Sequence, residues 1–494
     1  MLEVFADMVV KCSLNLLRRR IVMSRVQNVN RRTFIKSVGA GLAVASAPLI
    51  LPSRLCFGGD DAPSNKLNIA LVGCGGRGGN ILEEAFQQGA NVVALCDVDS
   101  SQIEKMRKEL SAKVPEMKSC MESARGYGDY RELIEKEKNL DGVLIAIGPW
   151  WHASMSSAFM RAGKHVYCEK PLTRLVSEAR ALGKLARELK VTTQMGTQGA
   201  ASKSFRRAVE IVQAGLLGNV TEVHAWNVVH QRRPESVNRP AGEDPIPAGF
   251  NWDMWVGPSP ERPFKANTYL HGCMRTSPWL DFGTGLLGDF GTHTWQLPIR
   301  ALKLGYPVKV EHNIPEPVKE TYVSNAQISY EFPARESMPA VKAWYYDTIN
   351  RPPQDVVAEL EKSFVKFPGV GAMLIGDKGW MHVGGWSSGN YMKLKGEEKF
   401  RGVCDHQAAK VLPTTEPRQE NQNHMLEWIE AAKAGKKAYQ SFEIATHSME
   451  VILPAIVSLR LQRPIDWDGV NMKVPGCPEA DQFIRPELRK KWLM

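Results

Sequence analysis

The stretch Leu67-Asn68-Ile69-Ala70-Leu71-Val72-Gly73-Cys74-Gly75-Gly76-Arg77-Gly78, continued by Ile81 to Gln88 and by Val92 to Cys96 with Asp97 behind it, decides the fold. Leu67 to Val72 is apolar enough for a buried parallel strand, and Ile81 to Gln88 reads as a helix behind the glycines. Gly73 permits the tight turn, Gly75 lets the backbone approach a pyrophosphate, and Gly78 lets helix and strand pack closely. Gly76 and Arg77 fall between them, where the free N–H groups of a helix start face phosphate. Asp97 closes the second strand about 20 residues after Gly78, the position of an acid that binds ribose hydroxyls. Strand, glycine turn, helix, strand and acid, in that order, form a dinucleotide cradle. An acid at Asp97 repels a 2′-phosphate, so NAD(H) is expected in preference to NADP(H).

The chain has 494 residues, more than one domain needs. The expected division is a leader over 1–55, a nucleotide-binding domain over 56–200 and a substrate and oligomerisation domain over 201–494. Hydrophobic content of 43% and charged content of 23% are ordinary for a folded chain. Of the net charge of +10, residues 1–55 carry +7 and the remainder only +3. So nearly balanced a body gives no electrostatic footprint for nucleic acid, and no nucleic-acid-binding motif accompanies it. The nine cysteines show no C-x-x-C and no zinc-like spacing with histidine, so buried free thiols are expected, and neither a disulfide framework nor a metal site.

Asn30-Arg31-Arg32-Thr33-Phe34-Ile35-Lys36 resembles a twin-arginine export signal, and the uncharged run Ser37 to Leu51 follows it. That run is short and rich in Gly, Ala and Ser, so no stable membrane insertion is expected. Ala45-Ser46-Ala47 has the small-residue pattern of a cleavage site, and Met23 is an alternative start. Twin-arginine export carries folded proteins, which suits a protein that must take up a nucleotide in the cytoplasm before leaving it. A periplasmic or exported location and a tightly held cofactor follow as expectations.

Beyond Asp97, helices are expected over Ser101 to Leu110, Asp129 to Glu137, Trp151 to Ala162 and Ser177 to Leu189. Strands are expected over Gly142 to Ile147, His165 to Cys168 and Val191 to Met195. Such alternation makes a Rossmann-type doubly wound parallel sheet, whose ligands sit beyond the carboxyl ends of the strands. A helix at Phe205 to Ala214 closes the pattern. Alternating stretches at Val220 to Val229, Ala326 to Phe332, Ala340 to Tyr346 and Ala372 to Ile375 then suggest an α+β domain with an open, mostly antiparallel sheet. Helices return at Asn421 to Ala434 and Ile444 to Leu461. The Pro- and Trp-rich connections between Gln231 and Trp279 are expected as ordered loops over a cleft.

Arg161-Ala162-Gly163-Lys164-His165-Val166-Tyr167-Cys168-Glu169-Lys170-Pro171-Leu172 closely matches A-G-K-H-V-x-x-E-K-P. On that run the chain resembles the family of glucose-fructose oxidoreductase, inositol dehydrogenase and the MocA protein. Gly288-Asp289-Phe290-Gly291-Thr292-His293 resembles the family's D-x-G-x-H element. Trp252-Asp253-Met254-Trp255-Val256-Gly257-Pro258 and the helix opening at Asn423-His424 are similar to features of its exported bacterial branch. The resemblance runs from about Lys66 to Trp492. It implies hydride transfer between NAD and a sugar, cyclitol or derivative, Lys170 at the reacting oxygen, and a homo-oligomer. One departure stands out: Gly148-Pro149-Trp150-Trp151-His152 carries two indoles where the family more often has Thr-Pro, small polar residues and His.

The chemistry can be argued from the residues themselves. Taking a hydride from a carbinol requires removal of the hydroxyl proton and stabilisation of charge developing on oxygen. A lysine at a strand end beside the cofactor can hydrogen-bond that oxygen as a cation, and the following proline fixes its backbone. Glu169 orients the amine or the nicotinamide ribose. Histidine titrates near neutrality, so His293 suits a general base. Asp289, four residues earlier, shares a face with it if the segment is helical, and either holds substrate, tunes the imidazole or caps the helix. Pro149, His152 and Gln198 are expected on the cofactor side, His152 as support rather than base. Trp150 or Trp151 either stacks on the nicotinamide or sugar, or packs. An NAD-dependent glycosidase, which oxidises a sugar carbon transiently so that elimination and re-addition of water cleave the glycosidic bond, is the competing expectation.

Overall fold

The computed structural model describes residues 66–492, apart from 230–237, 271–272, 316, 323 and 365, all within the compact unit Asp60–Met494. The twin-arginine segment lies outside the described residues.

The first sheet holds β1 (Asn68–Val72), β2 (Asn91–Cys96), β3 (Arg125–Tyr127), β4 (Gly142–Ile145), β5 (His165–Glu169) and β6 (Thr193–Gly196) in the order β3-β2-β1-β4-β5-β6, every pair parallel. Its central strands are buried almost end to end because helices cover both faces. The crossovers include α1 (Gly76–Gln87), α2 (Ser100–Lys113), α3 (Tyr130–Lys136), α4 (Pro149–Arg161) and α5 (Val176–Glu188). Asp99 and Asp129 cap α2 and α3 by accepting backbone N–H bonds, and Pro149 takes the first-turn position of α4. Apolar periodicity starts α1 at Ile81, yet the helix begins five residues earlier, at Gly76. Tertiary packing overrides glycine's poor helix propensity there, since any side chain at Gly78 would collide with the Gly73 carbonyl. β3 went unexpected because it has only three residues, two of them exposed.

After α6 (Lys203–Gln213), the chain enters a nine-stranded sheet through β7 (Val220–Asn227). The helical segments α7 (Trp252–Val256), α8 (Gly285–Asp289) and α9 (Gly291–Ala301) precede β8 (Lys309–Asn313), β9 (Gln327–Phe332) and β10 (Val341–Asp347). Then come α10 (Gln354–Ser363), β11 (Val370–Gly376), β12 (Gly379–Gly384), β13 (Tyr391–Leu394), β14 (Arg401–Gly402) and, near the end, β15 (Ile465–Asp466). The order is β14-β13-β12-β11-β7-β10-β9-β8-β15, with β7 and β10 parallel and the other pairs antiparallel. α10 buries Val356, Val357 and Leu360 in a cluster with Trp226, Tyr346 and Met373 of the sheet.

The final third returns to the first sheet. α11 (His424–Lys433) lays Met425, Trp428 and Ile429 into the cluster beneath β1, β2 and α1. α12 (Phe442–Ile452) packs on α5, where Gly183 leaves room for Thr446. The expected single helix Ile444 to Leu461 is two, α12 and α13 (Pro454–Leu461), because Pro454 lacks the N–H that would continue the ladder. The stretch Phe442–Leu461 is long and apolar enough to cross a membrane by length and composition alone, and 83% of it is buried within the fold, as a core helix would be.

Candidate functional site

The carboxyl ends of β1, β4, β5 and β6 converge on one edge of the first sheet, and each delivers part of the site. The glycine turn follows β1. Gly73 sits at φ +95°, a conformation that favours glycine, and an added Cβ there would strike the Ala146 carbonyl. Gly75 and Gly76 are the reverse case: both are exposed, and nothing lies within 4 Å of where a Cβ would stand. The turn is thus tight behind and open in front, as a cradle for pyrophosphate must be. Asp97 follows β2 and accepts from the backbone N–H of Cys74 at 2.7 Å and of Asp99 at 2.9 Å. Burial raises its pKa, and those two donors oppose the shift. Beside it opens a cavity of about 980 Å³, lined in part by Asp97, Glu104, Asp129, Glu132 and Asp253. Its acidic lining favours a ribose with free hydroxyls over a phosphorylated one, so the residues present fit NAD.

Within the excursion between β7 and α8, the described stretch 250–255 closes over that edge. Phe250 bridges Asp99, and Asn251 N–H donates to the Val98 carbonyl at 2.8 Å. Trp150 Nε1 donates to the Trp255 carbonyl and Trp151 Nε1 to that of Met254, each at 2.9 Å. Both indoles are buried, Trp150 against Trp255 and Phe282 with ring centroids 4.8 and 5.1 Å away. Of the two roles left open for these indoles, the structure assigns packing: they rivet α4 to α7.

At the end of β5, Glu169 is buried and paired with Arg77 of the glycine turn, Nε to Oε1 at 2.8 Å. Gln198 Nε2 donates to the Tyr167 hydroxyl at 3.1 Å and to Glu169 Oε1 at 3.3 Å. Arg77, Glu169 and Gln198 are therefore one connected group. Lys170 follows, before a cis Lys170–Pro171 bond. His152 is fully buried; its Nδ1 lies 2.7 Å from the Pro171 carbonyl and its Nε2 lies 3.1 Å from that of Ile147. Burial pulls its pKa down to about 4, so the ring is neutral and supports the proline. Pro149, the first residue of α4, stands at the end of β4.

The second domain supplies the opposing half. Lys170 Nζ donates to Asp289 Oδ1; their side chains are 17% and 2% exposed. Phe290 lies beneath the ammonium, 5.6 Å from it to the ring centroid. α8 and α9 adjoin at Phe290, so Asp289 and His293 are four residues apart in nearly continuous helix. His293 is buried, and its Nδ1 has no hydrogen-bond partner among the described residues. Burial first, then the charges of Lys170 and Arg77, push its pKa well below the usual histidine value. The imidazole is neutral, as a proton acceptor must be.

Two contributors escaped the sequence reading as site residues. His424 opens α11, where its Nε2 donates to the Met195 carbonyl at 2.8 Å. It packs edge-on to Tyr167, and burial lowers its pKa to about 4. Ser387, between β12 and β13, donates to the His293 carbonyl at 2.5 Å. The only sequence signal for the latter was a glycine-rich connection, Gly384 to Gly389, around a lone tryptophan.

Residues 67–197 match the family described as "Oxidoreductase family, NAD-binding Rossmann fold", and residues 205–335 match "Oxidoreductase family, C-terminal alpha/beta domain". A glycosyl hydrolase family 109 protein of Solibacter usitatus is 28% identical over 213 residues, 40% of this chain and 45% of that one. An inositol 2-dehydrogenase of Salmonella typhimurium is 26% identical over 172 residues, 34% of this chain and 48% of that one. The match thus spans about half the length of each relative. An oxidoreductase from Agrobacterium radiobacter, solved with NAD+, L-tartaric acid and magnesium, has the same fold with a TM-score of 0.52 at 14% identity, over 81% of this chain and 98% of that one.

Proposed function

Because this chain belongs to the Gfo/Idh/MocA family of oxidoreductases, we propose that it is an NAD(H)-dependent enzyme acting on a sugar, cyclitol or derivative. The observation that carries the reading is the convergence of Lys170, Asp289 and His293 at the strand ends that also bear the glycine turn. Gly75 and Gly76 would hold the nucleotide through backbone N–H groups at the open face of a turn that Gly73 and Gly78 keep tight, Asp97 its adenosine ribose, and Pro149, Glu169, Lys170, Gln198 and Arg77 the nicotinamide side, with His152 in support. When bound, NAD+ accepts the hydride. Lys170 donates a hydrogen bond to the substrate oxygen and stabilises the charge that develops as its proton departs. His293, neutral and with Nδ1 uncommitted, takes that proton. Asp289 holds the ammonium in place and balances its charge. Phe290 and the burial of α8 and α9 keep water from the Asp289 end of the pair, while the ammonium end stays open to substrate.

The test is turnover with a panel of sugars and cyclitols, read as NADH absorbance. Lys170→Ala is expected to abolish hydride transfer while native mass spectrometry still finds nucleotide bound; near-normal turnover in that variant refutes the assignment. One observation favours a second reading, the likeness to a glycosyl hydrolase family 109 protein. A glycosidase that oxidises transiently gives glycosidic cleavage without net NADH, which the same assay separates.

In this reading the enzyme is exported folded through Asn30 to Lys36 and works in the periplasm as a homo-oligomer with its cofactor tightly held. Replacing Arg31 and Arg32 by lysine should trap it in the cytoplasm on cell fractionation. Light scattering on the purified protein reports the assembly.

A further inference from the structure

We propose that Trp386 is a stacking platform for a six-membered polyol ring, which makes it a specificity residue of this site; the inference rests on the function proposed above. Of the thirteen tryptophans it is the one exposed, at 53%, whereas the others are buried or half-buried. An indole left in water forgoes the stabilisation of burial, so the fold gains nothing by displaying it.

The connection that displays it is over-determined. Ser387 is buried at φ 57°, a left-handed conformation that strains a non-glycine residue. Its N–H donates to the Gly384 carbonyl at 2.7 Å, and its carbonyl accepts from Asn390 Nδ2 at 3.1 Å. Asn390 Oδ1 accepts from Gly384 N–H at 3.1 Å, and Asn390 N–H donates to Ser204 Oγ at 2.8 Å. So much local bonding fixes one conformation at a turn that otherwise only joins two strands.

Two anchors place that turn across the site. On the proton-acceptor side, the Ser387 hydroxyl donates to the carbonyl of His293, and Gln296 Nε2, one helical turn on, donates to the Trp386 carbonyl at 3.4 Å. On the nucleotide side, the Trp386 carbonyl approaches Gly199 so closely that any side chain there would collide with it. Gly199 directly follows Gln198, which bonds Glu169, the neighbour of Lys170. With its carbonyl turned toward both halves, Trp386 presents its indole to solvent where they meet.

The chemistry such a ring selects is specific. An indole face carries partial negative charge and large apolar area, complementary to the C–H face of a pyranose or cyclitol. A ring stacked by that face would leave its hydroxyl edge uncovered by the indole. Linear polyols lack a rigid C–H face.

The full-length enzyme labelled with 5-fluorotryptophan tests this, with the Trp386 resonance identified by its loss in Trp386→Phe. Glucose or myo-inositol added to the NADH-bound enzyme is expected to shift that resonance, and sorbitol is not. Kinetically, Trp386→Ala should raise KM for cyclic substrates about tenfold with kcat within about twofold, while Trp386→Phe stays within about threefold of wild type. An active enzyme whose KM ignores Trp386→Ala overturns the platform, as does a resonance that responds to protein concentration and not to sugar, which marks a contact between copies. A shift with cyclic polyols in an enzyme that turns none over sinks the proposed reaction and leaves the platform standing.

Discussion

Separating what the Lys170–Asp289 pair does for the fold from what it does for the chemistry takes three variants: Lys170→Met, Asp289→Asn, and both together. The Asp289 side chain is 2% exposed, so Lys170→Met removes the cation facing Oδ1 from a carboxylate with almost no access to water. Breaking one side of a buried pair costs about 3–5 kcal/mol, and the lower end applies because the Lys170 end retains some solvent. Unfolding entropy is near 2.1 cal/mol/K per residue, so for a folded body of roughly 400 residues each kcal/mol moves Tm by about 1 °C. Lys170→Met should therefore lower Tm by about 3 °C, and Asp289→Asn by somewhat less, because the partly exposed ammonium can recruit water. The double variant, with both charges gone, should regain most of the loss. Turnover should behave otherwise: Lys170→Met and the double variant fall by at least about 10³, while Asp289→Asn, which keeps the ammonium but loosens it, falls by about 10². Scanning calorimetry and initial rates on the same preparations decide it. A double variant that recovers activity along with Tm, or a Lys170→Met protein that keeps both, refutes the reasoning.

Acid should destabilise the fold through its buried histidines. His152, His382 and His424 each have a pKa near 4, below the 6.5 of an unfolded chain, so each contributes stability that is complete above pH 6.5 and lost as pH falls through 4. Each shift corresponds to roughly 3 kcal/mol. Asp347, raised by burial to about 7, acts in the opposite sense, its contribution being lost as pH rises through that value. Among the described residues burial lowers the pKa of seven histidines in all and raises that of five carboxyls, so the histidine side prevails and urea midpoints should drop between pH 6.5 and 4.5; flat midpoints would contradict it. Asp97→Ser should weaken NAD binding about 10- to 100-fold and narrow the preference over NADP, measured by calorimetric titration. The glycine turn offers a paired test, since Gly78→Ala must displace the Gly73 carbonyl and should lower Tm, whereas Gly76→Ala, with open space at its Cβ, should fold normally and bind nucleotide more weakly.

Legibility followed the physics of each segment. β1, β2, β4 and β5 were readable because a parallel strand covered on both faces must be apolar along its whole length, and the helices between them carry caps such as Asp99 and Asp129. β3 was unreadable because three residues, two of them exposed, leave no pattern. Lys170 and Asp289 came from two separate motifs, and the structure pairs them, with His293 four residues beyond Asp289 in nearly continuous helix. The pairing of Arg77 with Glu169 could not be read, for it joins residues 92 apart in sequence through the closeness of two strand ends. Ser387 was hidden for a further reason: its hydroxyl reaches a backbone carbonyl, a contact that marks no particular residue type at His293.

The return of the chain to its first sheet explains how a base on one domain can be held against a lysine on the other. Were α8 and α9 joined to the nucleotide half only through α6, a small rotation at that link would carry His293 away from Lys170, and misplacement on the scale of 1 Å can cost about 10² in rate. Several further ties oppose such rotation. Gln194 Nε2 donates to the His424 carbonyl at 2.7 Å, and Met195 N–H to that of Gln440 at 3.0 Å, fastening β6 to the last third of the chain. Gln440 Nε2 in turn donates to Gln296 Oε1 at 2.9 Å, three residues beyond His293 on α9. A continuous run of buried hydrogen bonds thus leads from the strand beside Lys170 to the helix that bears the base. Gln440→Ala cuts that run without touching either residue, so kcat should fall while KM for NAD stays near its wild-type value. A fall in nucleotide affinity instead would show that Gln440 serves the cradle and not the alignment.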